Sequence, residues 1–138
     1  MNIRTTIDVD IQRIADLLCS ALEGGSNYWY MIEEFNPPKD TDLIMIEPFS
    51  HDEQHKNKEL FRHLRYPLSN GGSLIISDAT ASEEPASRTL DLTTIANGLQ
   101  TMADKYPKHF ADFLTENDDA ITGDVFLQCC LFDEVIYG

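Results

Sequence analysis

The sequence predicts an α+β fold: a small antiparallel or mixed β-sheet packed by three to five helices, all within a single domain spanning residues 1–138. Three observations predict it. The length suits one hydrophobic core, and 42% apolar with 25% charged residues is ordinary for a globular chain. Short runs with the two-residue period of strands also alternate with longer runs at helical spacing.

The first two elements are predicted to be a strand and a helix. Residues 3–9, "IRTTIDV", place Ile and Val at alternate positions, which is typical of a half-buried strand. Asp10 can then cap a helix whose apolar residues recur on one face as far as Leu22. Gly24 is predicted to end that helix in the left-handed conformation.

The middle of the chain is predicted to hold most of the sheet. The stretches 27–35, "NYWYMIEEF", and 41–49, "TDLIMIEPF", are rich in aromatic and β-branched residues and predict two strands. A helix is expected from Ser50 or Asp52 to about Tyr66, where Pro67 ends it. "SLIISDA" and "RTLDL" then predict a hairpin with a long connection.

The remaining residues predict helices. Thr93 or Thr94 can cap a helix that is interrupted at Pro107, and a last helical segment begins at about Thr122. This last segment, "GDVFLQCCLFDEVIYG", is apolar on nearly every side. We therefore expect it to lie deep in the core or to form a homodimer contact through the C-terminal helices.

Composition narrows the classes of function. Ten basic and 24 acidic residues give a net charge of −14, which disfavours direct binding to nucleic acid because phosphates would be repelled. No apolar run approaches a membrane span, and three cysteines inside apolar stretches are no disulfide framework, so a cytoplasmic location is expected. The acidity either confers solubility alone or imitates a nucleic acid for a basic partner.

The stretch "EGGSNYW" is the first candidate ligand-binding site. Paired glycines allow backbone N–H groups to converge on an anion, and a serine and an asparagine add polar partners. One of the following aromatic residues could stack on a base. The candidate residues are Gly24, Gly25, Ser26, Asn27, Tyr28 and Trp29. The alternative is that the glycines end a helix and the aromatic residues belong to the core.

The second candidate is a basic strip in an otherwise acidic chain. On a helix, His55, Lys58, Arg62 and Arg65 would lie along one face, where they could receive the phosphates of a ligand. The alternative is internal pairing with carboxylates or plain solvation. His51 and His55 are four residues apart, but no third ligand is marked by spacing, so neither a metal site nor a cofactor is predicted.

Two segments carry a resemblance to known proteins. "LLCSALEGGSNYWYMIEE" and the C-terminal "MADKYPKHFADFLTENDDAITGDVFLQCCLFDEVIYG" resemble small acidic proteins of bacteriophages and other mobile elements, in which LLCxALEGGSNYW and ITxDVFLQxxLFxEVIYG recur around a variable middle. The resemblance implies a phage-type origin and carries no activity. By analogy, a short phage protein without a catalytic site is expected to counter host immunity.

Two functions follow as expectations, and neither is enzymatic because no catalytic set is assembled in the sequence. The first is a phage-encoded binding protein that sequesters a small anionic, nucleotide-type signal of host immunity. The alternative is an acidic nucleic-acid mimic that inhibits a host defence protein by direct binding. From Asp104 onward the chain holds eight acidic residues and only two lysines, which favours the alternative. A phage structural component is a third and plainer possibility.

Overall fold

The alternation of strand-like and helical runs yields an α+β fold in the computed structural model, which describes residues 1–47, 62–80 and 86–138. Within these ranges three strands form one antiparallel sheet in the order β1-β2-β3: β1 is Tyr30–Asn36, β2 is Ser73–Asp78 and β3 is Arg88–Leu90. The fold class and the hairpin formed by β2 and β3 are confirmed.

The sheet buries one face against the helices. Leu74, Ile76 and Leu90 are at most 1% exposed, and they point to the same side because strand side chains alternate. The pairing of β1 with β2 runs from Tyr30 opposite Asp78 and shifts register between Ile32 and Glu34. The strand predicted over 27–35 is therefore confirmed from Tyr30, with Trp29 just before it.

Four α-helices whose two ends both lie within the described residues flank the sheet, and an aspartate is the N-cap of three of them. They are α1 (Ile11–Ser20), α2 (Leu92–Lys105), α3 (Pro107–Leu114) and α4 (Ala120–Phe132). The carboxylates of Asp10, Asp91 and Asp119 accept backbone N–H groups of the first turns of α1, α2 and α4, which is how a helix start is stabilised.

Two of these caps can be compared with the sequence. The Asp10 cap is confirmed. The cap predicted at Thr93 or Thr94 is wrong: Asp91 is the cap, and the Thr94 hydroxyl completes the capping box by accepting the Asp91 N–H.

Helix α4 lies at the centre of the core. Nine of its 13 residues are buried, and it contacts α1, α2, α3, β3 and a π-helical turn at Ala21–Gly25. Gly98 and Gly123 permit this packing: an added Cβ would lie 2.3 Å from Cys130 Sγ and 2.8 Å from the Ala21 nitrogen, respectively. The apolar surface on nearly every side of α4, which predicted either burial in the core or a dimer contact, is thus largely covered within one chain.

Two predicted strands are wrong. Residues 3–9 run beside α2 without joining the sheet, and 41–47 hold only a short 3-10 helix at Asp40–Asp42. Side chains take the place of a strand partner in the second stretch: Ser69 Oγ accepts the Ile44 N–H at 3.0 Å, and Gln12 both donates to and accepts from the backbone of Glu47.

The end of the first helix also differs from the prediction. Helix α1 continues into the π-helical turn at Ala21–Gly25, and Gly71 and Gly138 are the glycines with positive φ in the described ranges. The left-handed conformation predicted for Gly24 is therefore wrong. The helix predicted up to Tyr66 falls mainly on 48–61, outside the described residues; 62–64 are helical, and the chain turns before Pro67.

Candidate functional site

The stretch predicted to bind an anion folds instead onto α4. Ser26 Oγ and Trp29 Nε1 each donate a hydrogen bond to Asp124 Oδ1 at 2.7 Å, and Tyr28 Oη donates to Asp124 Oδ2 at 2.6 Å. Asp124 is only 9% exposed. We refer to these four residues as the Asp124 cluster. They join residues 26–29 to the last helix.

The backbone of the paired glycines is committed to this junction as well. An added Cβ on Gly25 would lie 2.0 Å from the Ala120 carbonyl oxygen, so the π-helical turn is in direct contact with the first turn of α4. The Ser26 N–H donates to Ala21 O at 2.8 Å as part of that turn. An anion on the Cβ side of Gly25 would meet the Ala120 carbonyl oxygen, which repels it. The Ser26 N–H is therefore not available to a ligand.

The aromatic residues of the motif divide between core and surface. Trp29 is 0% exposed, and its ring lies 5.3 Å from that of Phe132 and stacks on Tyr137 at 5.6 Å. Stacking of Trp29 on a ligand is therefore excluded by burial. Tyr28 is 52% exposed; desolvation of its hydroxyl and the hydrogen bond to Asp124 raise its pKa to about 12.

Two further candidate residues of the same motif, Gly24 and Asn27, face solvent. Gly24 has no atom within 4 Å of an added Cβ, and Asn27 is exposed, with its Nδ2 donating to Glu23 O at 3.0 Å. Their exposure leaves them accessible, but the neighbouring side chains that were predicted to assist them are used inside the fold.

The basic strip lies elsewhere. His55 and Lys58 fall outside the described residues, whereas Arg62 Nη2 lies 3.2 Å from His63 Nε2 and the His63 ring lies 4.0 Å from that of Phe35. Phe35 is near the end of β1 and Trp29 precedes its start, a separation of about 16 to 20 Å at strand spacing. The described part of the strip and the glycine corner therefore do not form one site.

A groove that sequence reasoning did not single out opens beside residues 3–9. It encloses about 830 Å³ between this segment and helices α2 and α3. We call it the N-terminal groove. Ile3 is 76% exposed and Ile7 50% exposed. The groove is lined by Ile3, Arg4, Thr5, Ile7, Asp8, Val9, Ala96, Leu99, Gln100, Ala103, Asp104 and Phe110.

Carboxylates surround this apolar surface. Asp8 and Asp104 line the N-terminal groove, and an adjoining cavity of about 300 Å³ shares Asp8 and adds Asp10 and Glu116. The four carboxylates are exposed. Asp104 and Glu116 are two of the eight acidic residues from Asp104 onward, but their convergence with Asp8 and Asp10 depends on the tertiary fold.

Two nearby cations are held by internal contacts. Arg13 Nη2 donates to Asp118 Oδ1 at 2.8 Å and to Phe113 O at 2.6 Å, and its guanidinium lies 5.1 Å from the centre of the Phe113 ring. Lys105 Nζ donates to Asp133 O at 2.7 Å. Arg13 Nε also lies 3.9 Å from Glu116 Oε1, so Glu116 is partly neutralised. Asp8, Asp10 and Asp104 give the rim its negative character, offset locally by Arg4.

The thiols are poor nucleophiles in this fold. Burial raises the pKa of Cys19 and of Cys129 to about 12, with nearby carboxylates adding to both shifts, and burial also raises the pKa of Cys130 far above its ordinary value. A thiol with such a pKa holds almost no thiolate near neutrality. Within the described ranges, His, Cys, Asp and Glu form no group of three that could hold a metal ion.

Comparison with protein-family models, with curated proteins and with solved structures gives no match to this chain. Among the described helices, none is long and apolar enough to cross a membrane.

Proposed function

We propose that this chain is a non-enzymatic, acidic interaction protein that binds a basic surface of a partner protein. The observation that carries the proposal is the N-terminal groove, in which exposed apolar residues are bordered by Asp8, Asp10, Asp104 and Glu116. An apolar floor supplies binding energy through burial, and a charged rim supplies steering and specificity.

Among the two functions expected from the sequence, the geometry favours this one. The Asp124 cluster uses the side chains of Ser26, Tyr28 and Trp29. Arg62 lies beside His63, whose ring contacts Phe35 toward the other end of β1. The net charge of −14 favours a partner that ordinarily binds nucleic acid, because such a partner presents cations.

The resemblance to small phage proteins supports a biological setting for this interaction. A phage-encoded acidic protein in the host cytoplasm would block a defence enzyme by occupying its nucleic-acid-binding face. Counter-defence by direct binding is thus the specific form of the proposal.

The proposal is tested by expressing the protein in bacteria that carry individual nuclease-based defence systems and counting phage plaques. We expect plaque formation to be restored against at least one system, and the double variant Asp8→Lys/Asp104→Lys to abolish the effect. The matched control is Glu34→Lys/Asp40→Lys, which makes the same charge change at exposed positions outside the groove. Protection retained by the first variant, or lost equally in both, would contradict the proposal.

One observation favours a nucleotide-type ligand as a second candidate. Arg65 Nε is buried and has no hydrogen-bond partner among residues 1–47, 62–80 and 86–138, and a guanidinium N–H without an acceptor is uncommon in a folded protein. Native mass spectrometry with cyclic and linear nucleotides tests this candidate. A stoichiometric adduct that is lost in Arg65→Gln supports it, and a bare protein across the panel contradicts it.

A further inference from the structure

The segment 3–9 has the sequence of a strand but no strand partner. Its alternation of apolar residues is typical of a half-buried strand, and its backbone is non-helical. Yet none of its backbone N–H and C=O groups is hydrogen-bonded to another described residue. Unpaired, strand-like backbone of this kind is a template for pairing with another chain.

We propose that residues 3–9 form a strand by pairing with an extended segment of the partner protein, laid along the N-terminal groove. Main-chain hydrogen bonds to this segment would give affinity, and alternate side chains of the partner would reach the groove, as in other cases of strand addition. The inference rests on the proposed function, because it specifies how the basic partner is held.

Charge and surface chemistry define the sequence of that partner segment. Side chains directed toward Leu99 and Phe110 meet an apolar floor, whereas side chains at the edges meet Asp8 and Asp104. Because strand side chains alternate, the matching segment alternates apolar and cationic residues. Arg4 is the one cation that lines the groove in the described residues, and it favours an acidic or small residue opposite it.

A second copy of this chain is a poorer occupant. Its segment 3–9 would bring apolar residues, but with a chain of net charge −14 behind them, and Asp8 and Asp10 of one copy would face carboxylates of the other. Like charges brought together at an interface oppose binding. The acidic rim therefore selects a basic partner over self-association.

The test uses a heptapeptide of alternating lysine and valine as the probe, with a block isomer of the same composition as its control. We expect the alternating peptide to bind at least tenfold more tightly than the block isomer in low salt, and to lose affinity as salt is raised. Hydrogen exchange should show slowed exchange of amides in residues 3–9 when the alternating peptide is bound.

Adjacent threonines offer a matched pair of backbone variants. Thr5 and Thr6 are both exposed, and in an extended segment their N–H groups point to opposite edges. Thr5→Pro and Thr6→Pro each remove one N–H while keeping an extended backbone. We expect only one of the two to weaken peptide binding, by about tenfold, because only one edge pairs with the probe.

The outcomes separate this inference from the proposed function. If the alternating peptide binds no better than its isomer, leaves amides 3–9 unprotected and is insensitive to both prolines, strand addition is overturned while binding of a basic partner stands. If neither peptide binds at low salt, both are overturned. A dimer that protects amides 3–9 without peptide would replace the basic partner with a second copy and overturn this inference.

Discussion

The Asp124 cluster and the segment 3–9 differ in whether their polar groups are hydrogen-bonded within the chain. In the cluster, three donors from 26–29 converge on one buried carboxylate, and two of the donor side chains are fully buried. In the segment, the backbone groups are left to solvent and Ile3 and Ile7 are exposed beside a groove. The polar side chains of the cluster are hydrogen-bonded within the chain, whereas the backbone groups of the segment are paired only when a partner binds.

This contrast separates polar groups that have a structural role from polar groups that remain available for binding. A polar motif whose donors and acceptors are matched inside the fold has a structural role, and it resembles a ligand site in sequence because both use glycines, hydroxyls and aromatic rings. A segment whose donors and acceptors are unmatched retains capacity for binding. The matching of polar groups, which only the fold displays, is therefore the more informative criterion.

The largest expected effect is on the Asp124 cluster. Asp124→Ala removes the acceptor shared by Ser26, Tyr28 and Trp29, which leaves buried donors without partners. We expect the free energy of unfolding to fall by about 3 to 5 kcal/mol, measured by urea denaturation. The control is Asp104→Ala at an exposed position, which should change stability by less than about 0.5 kcal/mol. A small loss for Asp124→Ala would mean that the cluster is not structural.

The paired glycines provide a second and smaller contrast. Gly25→Ala places a Cβ 2.0 Å from the Ala120 carbonyl oxygen, whereas Gly24→Ala meets no atom within 4 Å. We expect the first to destabilise the fold by about 2 to 3 kcal/mol through overpacking, and the second to be neutral or to stabilise by about 0.5 kcal/mol. Thermal unfolding of the two variants measures the difference. Equal effects would show that the π-helical turn does not contact α4 closely.

Alkaline pH should lower the free energy of unfolding through the buried thiols of Cys19 and Cys129. The pKa of Cys19 and of Cys129 is about 12 in the folded chain against an ordinary value of 9.0, so the unfolded chain loses these protons first. The stabilisation is fully present below pH 9 and is lost as pH rises toward 12. We expect a loss of about 1 kcal/mol per thiol between pH 9 and 10.

Urea denaturation at pH 8, 9 and 10 measures this loss, with Cys19→Ala/Cys129→Ala as the control. The control variant should show a shallower decline across the same range. An identical decline in both proteins would place the pH dependence on other groups.

The smallest effect is expected in the open region. Ile7→Ser removes an apolar side chain that is already 50% exposed, so stability should change by less than about 0.5 kcal/mol, while binding of the alternating lysine–valine peptide should weaken. Isothermal titration with the peptide measures the second effect, and Met45→Ser serves as the control because Met45 is exposed outside the groove. A large loss of stability would show that the segment belongs to the core.

The sequence was sufficient for the elements whose signals are local. Asp10 as a cap, β1 from Tyr30, the hairpin of β2 and β3, and the burial of the last helix all follow from periodicity and capping chemistry. Residues 41–47 and Gly24 were mispredicted because long-range contacts decide them. Ser69 and Gln12 bind the backbone that would otherwise seek a strand, and α4 contacts the turn that would otherwise end at Gly24.

The candidate site was less accessible to sequence reasoning. The motif at 24–29 is visible in the sequence, but its acceptor, Asp124, is 95 residues or more away in the chain, and nothing local marks the pair. The groove beside 3–9 had a signal, the strand-like alternation itself. That signal predicted pairing with the chain's own sheet, which does not occur. A period-two pattern indicates that a segment is suited to pairing, but not which strand it pairs with.

The stacking of Trp29 on Tyr137 has an optical consequence. Trp29 is the sole tryptophan of the chain, and it is buried in contact with Phe132 and Tyr137. Residues 136 and 137 are in turn held by the Gln128 side chain, whose Oε1 accepts both of their N–H groups. The fluorescence emission of one indole therefore reports whether the last helix, the residues after it and the strand start are docked together, without any added dye.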